Sequence, residues 1–171
     1  MDRNASPDKV ILGMGVFSIG ATPVGLTRGG GQFTIEREYR AIAADGDRGK
    51  YKGRIAMDTS IPKLKLSMLE IITNIASAYP GFSSTPSDPV GNTTVTGTGA
   101  IAATDYKDVT WTGKTKAGKS VVITVKDAIN LDNPDFTLVE KDEVVAAVTF
   151  EGTYPEDAED DYEPWTIVYA D

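Results

Sequence analysis

Residues 32–40 alternate cleanly: Phe33, Ile35, Arg37 and Tyr39 face one way, Gln32, Thr34, Glu36, Glu38 and Arg40 the other. A period of two marks a strand with one wet face. Ala41–Ala44 continues it, and Asp45-Gly46-Asp47-Arg48-Gly49 has the chemistry of a tight turn. A return strand is predicted over Tyr51–Met57, with Tyr51, Gly53, Ile55 and Met57 opposite Lys52, Arg54 and Ala56. Acidic Glu36 and Glu38 on one strand and basic Lys52 and Arg54 on the next suit cross-strand pairing.

Other strands are predicted at Val10–Leu12, Val16–Ile19, Val24–Arg28, Ile61–Leu66, Val109–Thr115, Ser120–Lys126, Glu143–Glu151 and Trp165–Tyr169. Gly113–Gly118 reads as a hairpin turn. Ser67 begins the predicted helix, over residues 68–79, because Ser67-Met68-Leu69-Glu70 fits a capping box and Leu66 with Ile71 fits a hydrophobic staple. Met68, Ile71, Ile72, Ile75, Ala76 and Tyr79 form one apolar stripe, expected to pack on a sheet, and Pro80-Gly81 ends it. Residues 81–105 read as a long surface loop or irregular strands, and 128–139 as a loop with a short helical turn. The sum is a mainly β chain of about 8–10 strands with one helix and no visible repeat.

The chain has 171 residues, the size of one domain with a real core. Residues 1–9 read as a polar N-terminal arm, and 154–164 as an acidic loop carrying Glu156, Asp157, Glu159, Asp160, Asp161 and Glu163. There is no cysteine and no histidine. That removes disulfides, Ser-His-Asp and Cys-His catalysis and the usual His-bearing zinc sites. A net charge of −8 argues against a module that grips nucleic acid by its phosphates. No apolar run is long enough for a membrane helix, and the first residues lack a signal core. Synthesis in, and retention by, the cytosol until assembly is the expectation.

Several motifs carry possible chemistry. Gly13-Met14-Gly15 with Gly20 is a poor dinucleotide fingerprint, since strand and not helix follows. Residues Gly113 to Ser120 satisfy GxxxxGK[ST], but a β-branched run, Val121 to Val125, follows where a P-loop needs a helix. Glu36 with Glu38 has the makings of a carboxylate pair without an aromatic platform on its face. Asp45-Gly46-Asp47 starts like a calcium loop but lacks the closing Glu, and the 156–163 cluster lacks EF-hand spacing. A turn, a hairpin, a wet strand face and solvated loops account for them. No cofactor, no metal and no enzymatic activity are expected.

The order of elements over residues 13–58 has a further meaning. A short strand precedes Val24-Gly25-Leu26-Thr27-Arg28-Gly29-Gly30; the alternating strand with Glu36 and Glu38, a turn, and Lys52-Gly53-Arg54 follow. This resembles the tail tube proteins of tailed bacteriophages, siphophage-like, which share a loose "strand, Gly-[Leu/Val/Tyr]-Thr-[Lys/Arg]-Gly-Gly, alternating strand, turn, x-Lys-Gly-x" pattern. The resemblance covers mainly residues 10–80. It implies a β-sandwich or barrel flanked by the helix, with six copies in a ring around a lumen and rings stacked into a DNA-conducting tube in the virion. It makes Asp45, Asp47, Arg48 and Lys50 candidates for contacts between rings or subunits. Glu36, Glu38, Lys52 and Arg54 become lumen-face candidates. The implied partners are further copies of the chain, the tape measure, tail terminator and distal tail proteins, and DNA passing without tight binding; no membrane is involved. The inner tube of a contractile injection or type VI-like system shares this architecture. A monomeric β-sandwich binding module, an adhesin or carbohydrate binder, is the rival from another class, with Trp111 and Trp165 as its candidate aromatics.

Overall fold

The computed structural model describes residues 7–87 and 91–170. Strands β1 (Ile11–Ile19), β2 (Thr22–Pro23), β3 (Thr27–Ala41) and β4 (Ile55–Met68) lead to one helix, α1 (Ile71–Ala78). Then come β5 (Phe82–Ser87), β6 (Asn92–Gly97), β7 (Lys107–Thr115), β8 (Ser120–Asn130), β9 (Ala146–Gly152) and β10 (Trp165–Tyr169). The fold is mainly β, as its alternation predicts. β5 and β6 form a separate hairpin; the other strands run β2-β1-β7-β8-β9-β4-β3, all antiparallel, with β10 also on β8.

β8 turns this sheet into a two-layered body. Its first half pairs with β10 over Val121–Val125, and its last three residues pair with β9. Asp127 between them has φ 45°, a left-handed kink that redirects the strand. The strands on either side of the kink face each other across the core. Phe17, Val109, Trp111, Val121 and Val125 come from one layer and Leu64, Leu66, Met68, Val148 and Phe150 from the other, all buried. Trp111 lies flat over two glycines paired across β1 and β7: a Cβ on Gly15 would come within 2.4 Å of its ring, and one on Gly113 within 2.2 Å. The Gly113 of the P-loop-like octet is therefore a seat for an indole. Gly118 N–H bonds to Thr115 O in the predicted hairpin turn, and a strand follows.

Several expectations need correction. The helix spans Ile71–Ala78 and not 68–79, with Glu70 at its N-cap position. Ser67 and Met68 belong to β4, where they pair with Ala147 and Ala146, and burial of Met68 in the core overrides the capping-box pattern. Ile72 of the expected apolar stripe is 88% exposed. The helix instead docks through Ala78, Ile71, Ile75 and the buried amide of Asn74. The return strand does not start at Tyr51 but at Ile55, and it runs unbroken to Met68, so 42–54 is a long loop. β8 extends to Asn130, and 131–145 carries no helical turn. The Ser/Thr-rich segment holds the β5–β6 hairpin, and the strand expected from Glu143 begins at Ala146.

Candidate assembly surfaces

The glycine-rich segment carries the chain from one layer to the other. Val24 is fully buried, and its carbonyl accepts from the Asn74 side chain at 2.8 Å. Gly25, at φ +79°, leaves room for the Glu70 carboxylate, which a Cβ would strike. Leu26 accepts from Leu69 N–H, and Thr27 opens β3 opposite Met68. Gly29 and Gly30, both at positive φ, form the irregularity between Thr27 and Gly31. Gly31 then passes under Phe17, where a Cβ would lie 2.4 Å from the ring. Arg28 reaches Glu143 at 3.1 Å and Asp142 at 3.8 Å, an exposed contact of little energetic weight.

From there β3 and β4 run together past the rest of the sheet. β9 pairs with β4 only from Lys63 to Met68. Beyond that, residues 36–41 and 55–61 form a two-stranded arm whose tip is the 42–54 loop. Among the described residues no strand pairs with the outer edge of β3, which is 15 residues long. Tyr39 opposes Met57 on the arm and Ala41 opposes Ile55; Tyr39, Met57, Ile55, Ile42 and Tyr51 are all exposed. Two strands alone in water are marginally stable, and an apolar stripe on such a ribbon is a surface awaiting cover.

The tip loop is organised by its own charges. Asp47 accepts from the Ala44 N–H at 2.7 Å and from Arg54 at 2.9 Å, and Arg54 stacks over Tyr51 at 5.3 Å. Asp47 and Arg54 thus hold the loop's shape. Asp45, Arg48, Lys50 and Lys52 are exposed on it. Lys52 and Arg54 are loop residues, so they do not pair with Glu36 and Glu38 as the alternation suggested. The register sets Glu36 opposite Ile61 and Glu38 opposite Thr59.

Glu36 lies on the polar face of β3, β4 and β9. There Lys63 bridges Glu36 at 2.8 Å and Glu151 at 2.9 Å, and those hydrogen bonds, Glu36 first, push the Lys63 ammonium pKa above its ordinary value. Gln32, Thr34, Lys65, Asp132 and Thr149 complete a shallow depression of about 410 Å³. Glu38 shares the face of Glu36 by strand alternation and stays exposed.

The acidic loop between β9 and β10 is tied down at both ends. Tyr154 donates its hydroxyl to the Ser60 carbonyl at 2.8 Å, and burial, then the Glu163 charge, raises its pKa. Ser60 donates to Glu163 at 2.8 Å, Trp165 Nε1 donates to the same carboxylate at 2.9 Å, and Arg37 lies 3.6 Å from it. Pattern reasoning missed this cluster, because Ser60 and Glu163 are 103 positions apart and neither has a signature of its own. The described part of the N-terminal arm is fastened too: Ala117 N–H bonds to Asp8 O and Lys116 N–H to Val10 O. Residues 1–6 lie outside the described residues. Among the described residues no group of three or more acids is gathered as a metal site, and no helix is long and apolar enough to cross a membrane.

An open edge, a protruding arm and a separate polar face are features of the fold as a whole, and the fold has a solved counterpart. It is similar to a tube-terminating cap. The cryo-EM structure of the anti-feeding prophage cap superimposes with a TM-score of 0.51, over 99% of this chain and 97% of that one, at 14% identity. No protein-family model and no curated protein sequence matches the chain. At this identity the likeness is one of fold, and it extends from end to end.

Proposed function

We propose that this chain is a structural subunit of a phage-tail-like tube, a non-catalytic protein whose copies close into rings. The observation that carries this reading is the β3–β4 arm: fifteen residues of edge strand and an apolar stripe that the described residues leave unpaired and uncovered. An exposed edge of this length invites strand pairing, and natural proteins either blunt such edges or use them. A head-to-tail contact that closes gives a ring. The Gly25–Gly30 motif and the end-to-end likeness to a tube cap support the same reading.

In this reading six copies form a ring, as the resemblance to tail tube proteins implies, and rings stack into a conduit for DNA. The polar face with Glu36, Glu38, Lys63 and Glu151 is the lumen candidate. The tip loop, with Asp45, Arg48, Lys50 and also Lys52, meets a neighbouring ring. Asp47 and Arg54 serve by shaping that loop. The remaining partners are tape measure, terminator and distal tail proteins, within the virion. The name of the solved counterpart favours a second reading: a cap that ends a tube, in a phage tail or a contractile injection apparatus.

Replacing Asp45–Lys50 with Asn-Gly tests the arm's role and separates these readings. The variant should keep its circular dichroism and melting transition, because loop-tip changes cost less than about 0.5 kcal/mol. Sedimentation of the unmodified chain into long stacks, lost in the variant, fits a tube subunit. Growth that halts at single rings fits a cap. Equal assembly of both proteins contradicts a contact role for the tip loop.

A further inference from the structure

The arm leaves the body where β4 loses β9, and that junction is crowded and wired. Pro62 and Pro164 are fully buried there, and a Cβ on Gly152 would come within 2.8 Å of Pro62 and 3.3 Å of the Pro164 carbonyl. Just beyond Pro62 stands Ser60, 6% exposed, and across from it on β3 is Arg37. Glu163 touches both arm strands and the body: it accepts from Ser60 at 2.8 Å, from Trp165 on β10 at 2.9 Å, and pairs with Arg37 at 3.6 Å. Trp165 in turn packs its ring on Phe33, 6.0 Å away. The β bulge between Glu38 and Tyr39 begins immediately distal to this cluster, so the arm's twist changes just after the point of attachment.

We infer that Glu163 is a positioning residue for the arm: its carboxylate joins β3, β4 and β10 and so sets the direction in which the arm leaves the body. Two charge-assisted hydrogen bonds and an ion pair, one contact to each of three elements, define an angle as one contact cannot. Without it, residues 36–41 and 55–61 are a two-stranded ribbon still tied to the body through the Tyr154 hydroxyl on the Ser60 carbonyl, and such a ribbon has little stability of its own. The consequence for ring building rests on the assembly reading above; the mechanical role does not.

The test is hydrogen exchange on the full chain carrying Glu163→Gln or Glu163→Ala, read beside its sedimentation. Amides of 36–41 and 55–61 should exchange about tenfold faster in Glu163→Ala, and less so in Glu163→Gln, while those of β7 and β8 stay unchanged. Ser60→Ala, which keeps the carboxylate with Trp165 and Arg37 but also removes the Arg37 Nε bond to Ser60 Oγ at 3.3 Å, should give an intermediate increase and serves if Glu163→Ala does not fold. Unchanged arm exchange in the folded variants, or a uniform rise across arm and core, overturns the positioning role. A selective rise with undiminished assembly upholds the positioning role and overturns the use of the arm in assembly.

Discussion

Asn130, the last residue of β8, donates its side-chain amide to the Ala78 carbonyl at the end of α1, 2.8 Å away. Its side-chain oxygen accepts the Asp132 N–H at 2.9 Å, and the residue is 1% exposed. At the other end of the helix Asn74 does similar work, donating to Val24 O and Glu70 O. Two buried amides therefore fix the helix on the body where its apolar contacts are few. Asn130→Ala strands the Ala78 carbonyl in the core, and an unsatisfied buried acceptor costs about 1–3 kcal/mol. Chemical denaturation should show a loss of about 2 kcal/mol with an unchanged slope.

Trp111 and its glycine seat give a sharper steric test. Gly113→Ala and Gly15→Ala drive a methyl into the indole, at 2.2 and 2.4 Å. Each should cost about 1–3 kcal/mol, as overpacking does, and alter the near-ultraviolet signal of the tryptophan. A methyl on Gly13 meets nothing within 4 Å, so Gly13→Ala should stay within about 0.5 kcal/mol of the parent.

Lys63 makes stability depend on alkaline pH. Its folded-state pKa is raised, by hydrogen bonds to Glu36 and then Glu151, so the folded state holds this proton more tightly than the unfolded chain. The contribution is full below the ordinary lysine value of about 10.4 and is lost as pH rises through the folded-state value. Lys63→Met should melt below the parent at about pH 8, with the gap closing above about pH 10.4. A gap that is constant with pH would show that Lys63 acts through packing alone.

The β7–β8 hairpin was legible because its alternation matches its burial: Val109, Trp111, Gly113 and Thr115 all face inward. The wet face of β3 was legible for the same reason. The helix start was not, since Ser67 and Glu70 satisfy a local capping rule while Met68 is claimed by the core as a strand residue. Ile72→Ala should accordingly be near neutral, within about 0.5 kcal/mol, whereas Leu66→Ala should cost about 2–5 kcal/mol in thermal or chemical unfolding. The β5–β6 hairpin was legible only as a loop or irregular strands, because the threonines of β6 are exposed on both faces and show no apolar contrast. Of the candidate site residues, Glu36 and Glu38 fell on the polar face expected of them. Lys52 and Arg54 did not, because the 42–54 loop is longer than its Asp-Gly chemistry suggests. The Ser60–Glu163 cluster is a product of tertiary structure and left no local trace.

Negative-stain electron microscopy of the purified chain, imaged across a rising concentration series, tests the central claim most directly. The account predicts annular particles with an open centre and six-fold symmetry, singly or in stacks. Featureless particles the size of one 18.3 kDa chain at every concentration, including after addition of preformed rings as nuclei, would contradict it.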